Sequence, residues 1–255
     1  MEYNLIKIVS LPHRQDIILN NPPVNILTGA LMTELLAALQ VASADRALRV
    51  VVLRSEGKAW SAGADVGEHL PDKFEAMLDV FGKLCETVRT FPVPTIAAVD
   101  GLCLGGGCEL ACMCDFLIAS EKAKFGQPEI KVGVLPPVAA SHFGLKYGFS
   151  RALEIVLTGD IYSAQDAGRL GLVNQLVPAE GLAEAVDNYA AKFTALSAVV
   201  LRTAKAAALT GLDYSGKYVL QVVDDIYRRQ LMAASDAVEG LNAFLEKRPP
   251  NWKDR

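Results

Sequence analysis

The sequence predicts an α/β protein, and three observations support this fold class. Short apolar runs typical of buried strands alternate with longer segments that have helical spacing. A repeated strand–helix–strand order favours a mostly parallel sheet with right-handed crossovers. The chain has 255 residues, of which 51% are hydrophobic, enough for a full core in one large domain or for one domain plus a helical appendage.

The first 120 residues contain most of the predicted strands. Residues 3–11 and 15–19 are typical of a hairpin, and Thr28 is expected to cap an amphipathic helix over 29–44. The other elements predicted here are strands at 49–54, 95–100 and 115–119 and helices at 72–90 and 106–113. Glycine-bearing loops at 61–65 and 104–107 each follow a strand, so we expect both at one end of the sheet, where ligands bind in such folds.

The second half of the chain is mainly helical. We predict a helix at 151–157, a helix at 164–169 capped by Ser163, a short strand at 171–177, and helices at 179–195, 197–210 and 215–247. We divide the chain into a core over 1–195 and a helical region over 196–255. The apolar tail of a chain that already has a core suggests subunit packing.

Composition and charge disfavour several classes of function. The net charge is −4 and the isoelectric point about 5.5, which disfavours a nucleic-acid partner. The N-terminus lacks the layout of a signal peptide and no apolar run reaches the roughly 18 residues of a membrane helix, so we expect a cytoplasmic protein with no membrane partner. Five cysteines argue against a disulfide framework in that compartment. Because the spacing of Cys108, Cys112 and Cys114 is not a usual zinc pattern, we expect small hydrophobes and no metal.

One stretch, residues 101–129, holds the candidate chemistry. Gly105–Gly107 separate an apolar strand from a helix that begins with Cys108 and Glu109, and Glu129 follows twenty positions later. Glycines at a helix start let a ligand approach free N–H groups, and two facing carboxylates can handle protons. Alternatively, the glycines mark an ordinary turn and Glu109 only complements the helix dipole.

Three motifs stand out along the chain: VVLRSEGKAWSAGAD, PVPTIAAVDGLCLGGGCELACMCDFLIASEKAKFGQPEIKVGV and EIVLTGDIYSAQDAGRLGLVNQLV. They resemble the enoyl-CoA hydratase/isomerase, or crotonase, superfamily. The similarity follows the family's order and covers essentially the whole chain. The resemblance implies a spiral of β-β-α units with a C-terminal helical trimerisation region. It also implies an acyl-CoA thioester substrate, no cofactor beyond the coenzyme A of that substrate, and a trimer or a dimer of trimers.

The resemblance also assigns roles to individual residues. The backbone N–H groups of Ala64 and Gly106 match the oxyanion hole, Glu109 the base that acts on water, and Glu129 the acid. The remaining matches are Gln127 as support for Glu129, Ala62 and Asp65 in the CoA-binding loop, and Phe244 and Lys247 as tail residues that meet CoA from a neighbouring subunit. For Lys247, a solvated helix end is an equally good interpretation.

One stretch departs from ordinary 2-enoyl-CoA hydratases. Residues 135–142, LPPVAASH, replace a glycine-rich loop with proline and valine, so the pocket wall that includes Pro137 should be stiffer. Residues 68–72 and 231–240 resemble the cyclohexa-1,5-diene-1-carbonyl-CoA hydratases of anaerobic benzoyl-CoA degradation, whose product is 6-hydroxycyclohex-1-ene-1-carbonyl-CoA. His69 could line the acyl pocket and His142 could lie near the acyl group; for each, a structural or solvated role is the alternative, and neither receives a catalytic role.

Three functions remain open on the sequence alone. The favoured one is hydration of the cyclic dienoyl-CoA. The first alternative is a short-chain 2-enoyl-CoA hydratase or an enoyl-CoA isomerase of fatty-acid oxidation. The second, from another class, is a non-catalytic acyl-CoA-binding protein, which the presence of both glutamates and both glycine loops disfavours.

Overall fold

The computed structural model describes residues 3–251, apart from the side chains of residues 211–220 and of Gln230. Ten strands are present in this part of the chain. They are β1 (Ile6–Leu11), β2 (Arg14–Leu19), β3 (Val50–Ser55), β4 (Ala59–Ser61), β5 (Thr95–Val99), β6 (Leu102–Leu104), β7 (Phe116–Ser120), β8 (Lys124–Gly126), β9 (Ile161–Ser163) and β10 (Gln175–Val177).

Nine α-helices accompany these strands in the described residues. They are α1 (Gly29–Ala44), α2 (Phe74–Arg89), α3 (Gly106–Met113), α4 (Gly144–Tyr147), α5 (Phe149–Thr158), α6 (Ala164–Arg169), α7 (Leu182–Thr194), α8 (Ala198–Ile226) and α9 (Ser235–Leu245). Two π-helical turns, Ala139–Phe143 and Tyr227–Leu231, and three short 3₁₀ segments, Val66–His69, Pro128–Val132 and Ala179–Gly181, complete the helical structure. The predicted caps are present: Thr28 accepts a hydrogen bond from the Leu31 N–H and Ser163 from the Asp166 N–H.

Two sheets are built by a chain that alternates between them. The six-stranded sheet has the order β1-β2-β3-β5-β7-β10 and the four-stranded sheet the order β4-β6-β8-β9. Strands β3, β5 and β7 lie parallel in the first sheet, and β4, β6 and β8 lie parallel in the second. The first two turns each supply one strand to each sheet and then a helix, α2 or α3. The predicted α/β class and the spiral of β-β-α units are therefore confirmed.

The main core lies between these layers. Apolar side chains of α1, α2 and α3 pack with residues of both sheets, and Trp60, Phe91 and Phe125 are among its fully buried members. A second cluster on the back of the six-stranded sheet joins Val52 and Ile96 to Val186 of α7. Burial on both faces explains why strands such as β3 and β5 are continuous apolar runs without alternation.

The C-terminal helices differ from the prediction. Helices were expected at 197–210 and 215–247, but α8 is continuous over Ala198–Ile226 and the break falls later, at the π turn Tyr227–Leu231. The apolar spacing of residues 231–244 agrees with a helix only from Ser235 onward and did not reveal this break. The proposed boundary between residues 195 and 196 falls in the short link between α7 and α8, and a division into two domains stays a prediction.

Within the described part of the chain, no single helix is long and apolar enough to cross a membrane. One bent pair, residues 179–194 and 198–210, meets the length and composition requirement only when its two helices are taken together.

Candidate active site

One cavity of ≈ 380 Å³ contains most of the residues singled out from the sequence. Its walls come from the two glycine loops, from α2, from the segment 128–137 and from the C-terminal segment 227–244. The apolar lining includes Met77, Leu78, Phe81, Val134, Leu135, Leu241 and Phe244. Two carboxylates, Glu109 and Glu129, and one phenol, Tyr227, are exposed to this apolar space.

The two glycine loops meet at one end of the sheets, as predicted. A Cβ built on Gly106 would lie 3.4 Å from the Ala64 nitrogen, so the two backbone amides are close neighbours. The adjacent amides are engaged, since the Gly63 N–H donates to Ser61 Oγ and the Asp65 N–H to the Leu27 carbonyl. Among the described residues, no acceptor takes the N–H of Ala64 or Gly106.

Those two amides therefore form a pair of free donors at the cavity wall. Gly106 is the first residue of α3, where N–H groups lack an intrahelical partner and the helix dipole is positive. An oxygen that gains negative charge during a reaction would be stabilised between them. Removing one such donor typically costs about 3–4 kcal/mol of transition-state stabilisation.

Gly105 is required by both its conformation and its surroundings. Its φ of 51° lies in the left-handed region, and a Cβ at this position would lie 2.8 Å from Glu129 Oε1. At Gly107, a Cβ would lie 2.6 Å from the Ser61 Cβ, because α3 packs directly against β4. The glycine run is thus explained by close approach to the second carboxylate and to the neighbouring strand.

Glu109 projects from the first turn of α3 and is 1% exposed. Its Oε1 accepts a hydrogen bond of 2.8 Å from the Ala139 N–H, which belongs to the first π turn. Burial raises the pKa of Glu109 to about 8, against the opposing effect of backbone hydrogen bonds from Ala139 and Val138. A carboxylate with such a pKa can accept a proton near neutral pH.

Glu129 lies in the 3₁₀ segment Pro128–Val132 and borders the same cavity. Burial, and then the negative charge of Glu109, raise its pKa well above the ordinary value. The buried amide of Gln127 lies behind it; with its nitrogen turned towards Glu129, that nitrogen is 3.2 Å from each carboxylate oxygen. The structure thus places Gln127 against Glu129, outside the cavity lining.

The environment of the two carboxylates allows one to act as a base and the other as an acid. Because each is buried and each raises the cost of ionising the other, the pair favours a state that holds a proton on one member. Such a pair can take a proton from water with one carboxylate and deliver a proton to carbon with the other.

Of the two residues predicted for the CoA-binding loop, Ala62 and Asp65, the first lines the cavity and the second stabilises the local fold. Ala62 and His69 line the cavity. The Asp65 side chain instead accepts a hydrogen bond from the Glu68 N–H and so caps the 3₁₀ segment Val66–His69. His69 Nδ1 is 2.8 Å from the Asp65 carbonyl oxygen, and burial lowers the pKa of His69.

The wall formed by residues 135–142 is helical for most of its length. Pro137 lines the cavity, and the π turn that follows presents the Ala139 N–H to Glu109. His142 lines a separate cavity with Arg89 and Lys146, so the structure does not place it in the cavity that holds the two carboxylates. Its Nδ1 is 2.7 Å from Ser141 Oγ.

The two predicted tail residues occupy different positions. Phe244 of α9 lines this chain's own cavity together with Leu241 and keeps about half of its surface exposed; its contact with CoA across a subunit boundary stays a prediction. Helix α9 packs against the Glu129 segment, where a Cβ on Gly133 would lie 3.1 Å from the Asp236 carbonyl oxygen. Lys247 is exposed just beyond α9, with a φ of 54°; the structure does not bring it to the cavity.

Two contributors to the site were not found from the sequence. Ala139 acts through its backbone N–H, which has no signature in side-chain identity. Tyr227 was assigned to the middle of a long helix, whereas it begins the π turn and lines the cavity. The signal available in the sequence was an aromatic residue in an otherwise charged stretch, which is too common to indicate a site.

The cysteines behave as expected for small hydrophobes. Cys103, Cys108, Cys112 and Cys114 are buried in the main core. Burial raises the pKa of Cys103 and of Cys114, to about 12 for the latter, so these thiols stay neutral.

Together the fold and the site define a class of protein. A β-β-α spiral that holds two free N–H donors and two raised-pKa carboxylates around one apolar cavity is suited to acid–base chemistry beside a carbonyl that becomes negatively charged.

The chain belongs to the enoyl-CoA hydratase/isomerase family, whose model matches residues 15–255. It is 40% identical over 242 residues to a probable enoyl-CoA hydratase of Rhizobium meliloti, covering 94% of each chain. It is 38% identical over 239 residues to the cyclohexa-1,5-dienecarbonyl-CoA hydratase of Thauera aromatica, covering 93% of this chain and 92% of the other. A solved enoyl-CoA hydratase structure from Mycobacterium avium subsp. paratuberculosis K-10 superposes with a TM-score of 0.88 at 27% identity, over 99% of this chain and 100% of the other. The protein is therefore a hydro-lyase that acts on an acyl-CoA thioester, and the resemblance found in the sequence is confirmed.

Proposed function

We propose that this protein hydrates cyclohexa-1,5-diene-1-carbonyl-CoA to 6-hydroxycyclohex-1-ene-1-carbonyl-CoA, in anaerobic benzoyl-CoA degradation. The observation that carries the chemistry is the placement of Glu109 and Glu129 on one apolar cavity beside the free N–H groups of Ala64 and Gly106. A relative whose name states this activity is 38% identical to the chain over 239 residues.

In the proposed reaction, the thioester oxygen accepts hydrogen bonds from the Ala64 and Gly106 N–H groups. Glu109 takes a proton from water as the hydroxide oxygen bonds to the β carbon of the acyl group. Electrons move through the conjugated system, and Glu129 delivers a proton to its far end. Transfer of the proton from Glu109 back to Glu129 restores the starting state, so that one water has been added.

The shape of the cavity supports a compact acyl group. The wall that contains Pro137 is a helix whose π turn is tied to Glu109 by the Ala139 N–H. Prolines and a hydrogen-bonded helix restrict the backbone more than a glycine-rich loop would. Aromatic and branched side chains, including Phe81 and Leu241, close the rest of the cavity, which favours a flat ring over a long flexible chain.

A substrate panel tests the proposal. The purified protein should be assayed with cyclohexa-1,5-diene-1-carbonyl-CoA, crotonyl-CoA and a long linear 2-enoyl-CoA, with hydrated product followed by chromatography. We expect the highest kcat/KM for the cyclic diene. A higher kcat/KM for crotonyl-CoA would refute the cyclic substrate and leave the two-carboxylate mechanism unaffected.

The second candidate is a short-chain 2-enoyl-CoA hydratase. It is favoured by the relative at 40% identity, which is named a probable enoyl-CoA hydratase. Its reaction would use the same four groups, with the proton delivered to the carbon next to the thioester. The substrate panel separates the two candidates directly.

We also propose that the protein is a trimer or a dimer of trimers. Helix α8 exposes the apolar side chains Val199, Val200 and Val222, which a subunit contact would remove from water. Light scattering coupled to size-exclusion chromatography should give three or six times the 27.3 kDa mass of the chain. A monomer at micromolar concentration would refute this proposal.

A further inference from the structure

Tyr227 is a buried phenol whose hydroxyl has no hydrogen-bond partner among the described residues. The residue is 1% exposed, and its ring stacks on Phe74 with 6.2 Å between centroids and 24° between ring planes. Within the part of the chain that the structure describes, its hydroxyl makes no hydrogen bond. A buried hydroxyl in this state costs stability, because it has given up its hydrogen bonds to water without replacing them.

The position of this hydroxyl relates it to the reacting groups. Tyr227 lines the cavity that holds Glu109 and Glu129. Burial and the negative charges of Glu129 and Glu109 raise the pKa of Tyr227, so the phenol keeps its proton throughout the working pH range. Tyr227 therefore brings one neutral hydroxyl group to the wall of the cavity that holds both proton-transfer groups, with no hydrogen bond to either carboxylate.

The backbone around Tyr227 is also unusual. Helix α8 ends in the π turn Tyr227–Leu231, closed by a hydrogen bond from the Met232 N–H to the Tyr227 carbonyl. Such turns occur frequently at functional sites. The other π turn of the described chain supplies the Ala139 N–H to Glu109, so one irregular turn lines this cavity through Tyr227 and the other is hydrogen-bonded to a carboxylate that lines it.

We propose that the Tyr227 hydroxyl positions the oxygen that is added to the acyl group. It forms a hydrogen bond with the attacking water, which lies between the glutamates, and with the hydroxyl of the product after addition. The phenol neither gains nor loses a proton; it fixes the orientation of the water while Glu109 removes a proton from it. The inference rests on hydration of an acyl-CoA thioester and not on which acyl group is hydrated.

A structural role for the ring is the competing explanation. The Tyr227 ring fills space beside Phe74, and that function needs no hydroxyl. Tyr162 on β9 provides a matched control, because its hydroxyl is also buried without a partner among the described residues but is not part of the cavity lining.

The test compares Tyr227→Phe with Tyr162→Phe in the full-length protein. Both variants should fold, since each loses only an unpaired oxygen, and both should melt at an equal or higher temperature than wild type. We expect Tyr227→Phe to lower kcat for crotonyl-CoA hydration roughly 10- to 100-fold with little change in KM. Tyr162→Phe should leave kcat unchanged.

The binding of two CoA esters distinguishes a positioning role of the Tyr227 hydroxyl from a general defect in ligand binding. Calorimetry should show that Tyr227→Phe weakens binding of 3-hydroxybutyryl-CoA, which carries the added hydroxyl, by about 10-fold or more. Butyryl-CoA, which lacks the hydroxyl, should bind as it does to wild type. Product affinity and kcat within threefold of wild type would overturn the proposal, as would an equal loss of affinity for both esters. Either result can occur with hydratase activity intact, so failure of this inference is distinct from failure of the proposed function.

Discussion

Replacing Glu109 by glutamine should stabilise the protein while it abolishes most of its activity. Glutamine has nearly the same shape, and its carbonyl oxygen can still accept the hydrogen bond from the Ala139 N–H. It removes a carboxylate that burial holds at a pKa of about 8, against an ordinary value of 4.5. The unfolded chain ionises this group from about pH 4.5 upward, whereas the folded protein ionises it only near pH 8, so stability is lost as pH rises through that window.

The size of the effect follows from linkage. With these two pKa values, Glu109 lowers the free energy of unfolding by under about 1 kcal/mol at pH 5 and by roughly 3 kcal/mol at pH 7. The advantage of Glu109→Gln over wild type should therefore grow by about 2–3 kcal/mol between pH 5 and pH 7. In a chain of this size that difference corresponds to several degrees in Tm.

Urea denaturation and thermal melting at both pH values, at fixed protein concentration, measure this difference. Glu184→Gln, at an exposed glutamate of α7, controls for the loss of one negative charge. Turnover of Glu109→Gln should fall by roughly 10²–10⁴. A stability difference that does not change between pH 5 and pH 7 would show that Glu109 is ionised and well solvated in the folded protein, which would refute the reasoning.

Further predictions concern the same site. Glu129→Gln should lower turnover by roughly 10²–10⁴ with CoA-ester binding retained in calorimetry; turnover within tenfold of wild type would exclude an acid role. Gly105→Ala should lower both Tm and kcat, because it combines a φ of 51° with a Cβ 2.8 Å from Glu129 Oε1, and the conformation alone costs about 1–2 kcal/mol. Gly148→Ala, at a φ of 95° with no atom within 4 Å, is its control and should lower Tm only. For wild type, kcat/KM should rise with pH up to about 8 as Glu109 ionises, and a profile that is flat from pH 5 to 9 would contradict a base with that pKa. Dialysis against a chelator should leave kcat unchanged, since no group of three or more His, Cys, Asp or Glu side chains in the described residues could hold a metal; activity lost on dialysis and restored by a metal ion would contradict this.

Local sequence signals predicted much of the core. The predicted helix at 106–113 coincides with α3, and the predicted helix at 29–44 coincides with α1, because a glycine run and a threonine cap mark their starts. Strands β4, β6 and β8 were not predicted from the residues alone. Each has three residues, too few to show a two-residue period, and each is defined by pairing with strands distant in the chain.

The candidate site likewise has one part that the sequence predicted and one part that it did not. Its side-chain groups, Glu109 and Glu129, and its glycine loops could be named from the resemblance and were brought together by the fold. The position of the C-terminal segment could not be predicted, because residues 231–244 are equally apolar whether they cover their own site or a neighbour's. The bend that decides between these, at Tyr227–Leu231, is a change in backbone hydrogen bonding that side-chain spacing does not encode.

The return of α9 to the chain's own cavity has a consequence for synthesis. Chains emerge from the ribosome N-terminus first, so a nascent chain displays both glutamates and both glycine loops while Tyr227, Leu241 and Phe244 are still to be made. Until those last residues emerge, the cavity is open on one side and water has free access to the carboxylates. A chain that lacks these residues is therefore expected to be inactive, because the cavity is closed only after Phe244 has been added.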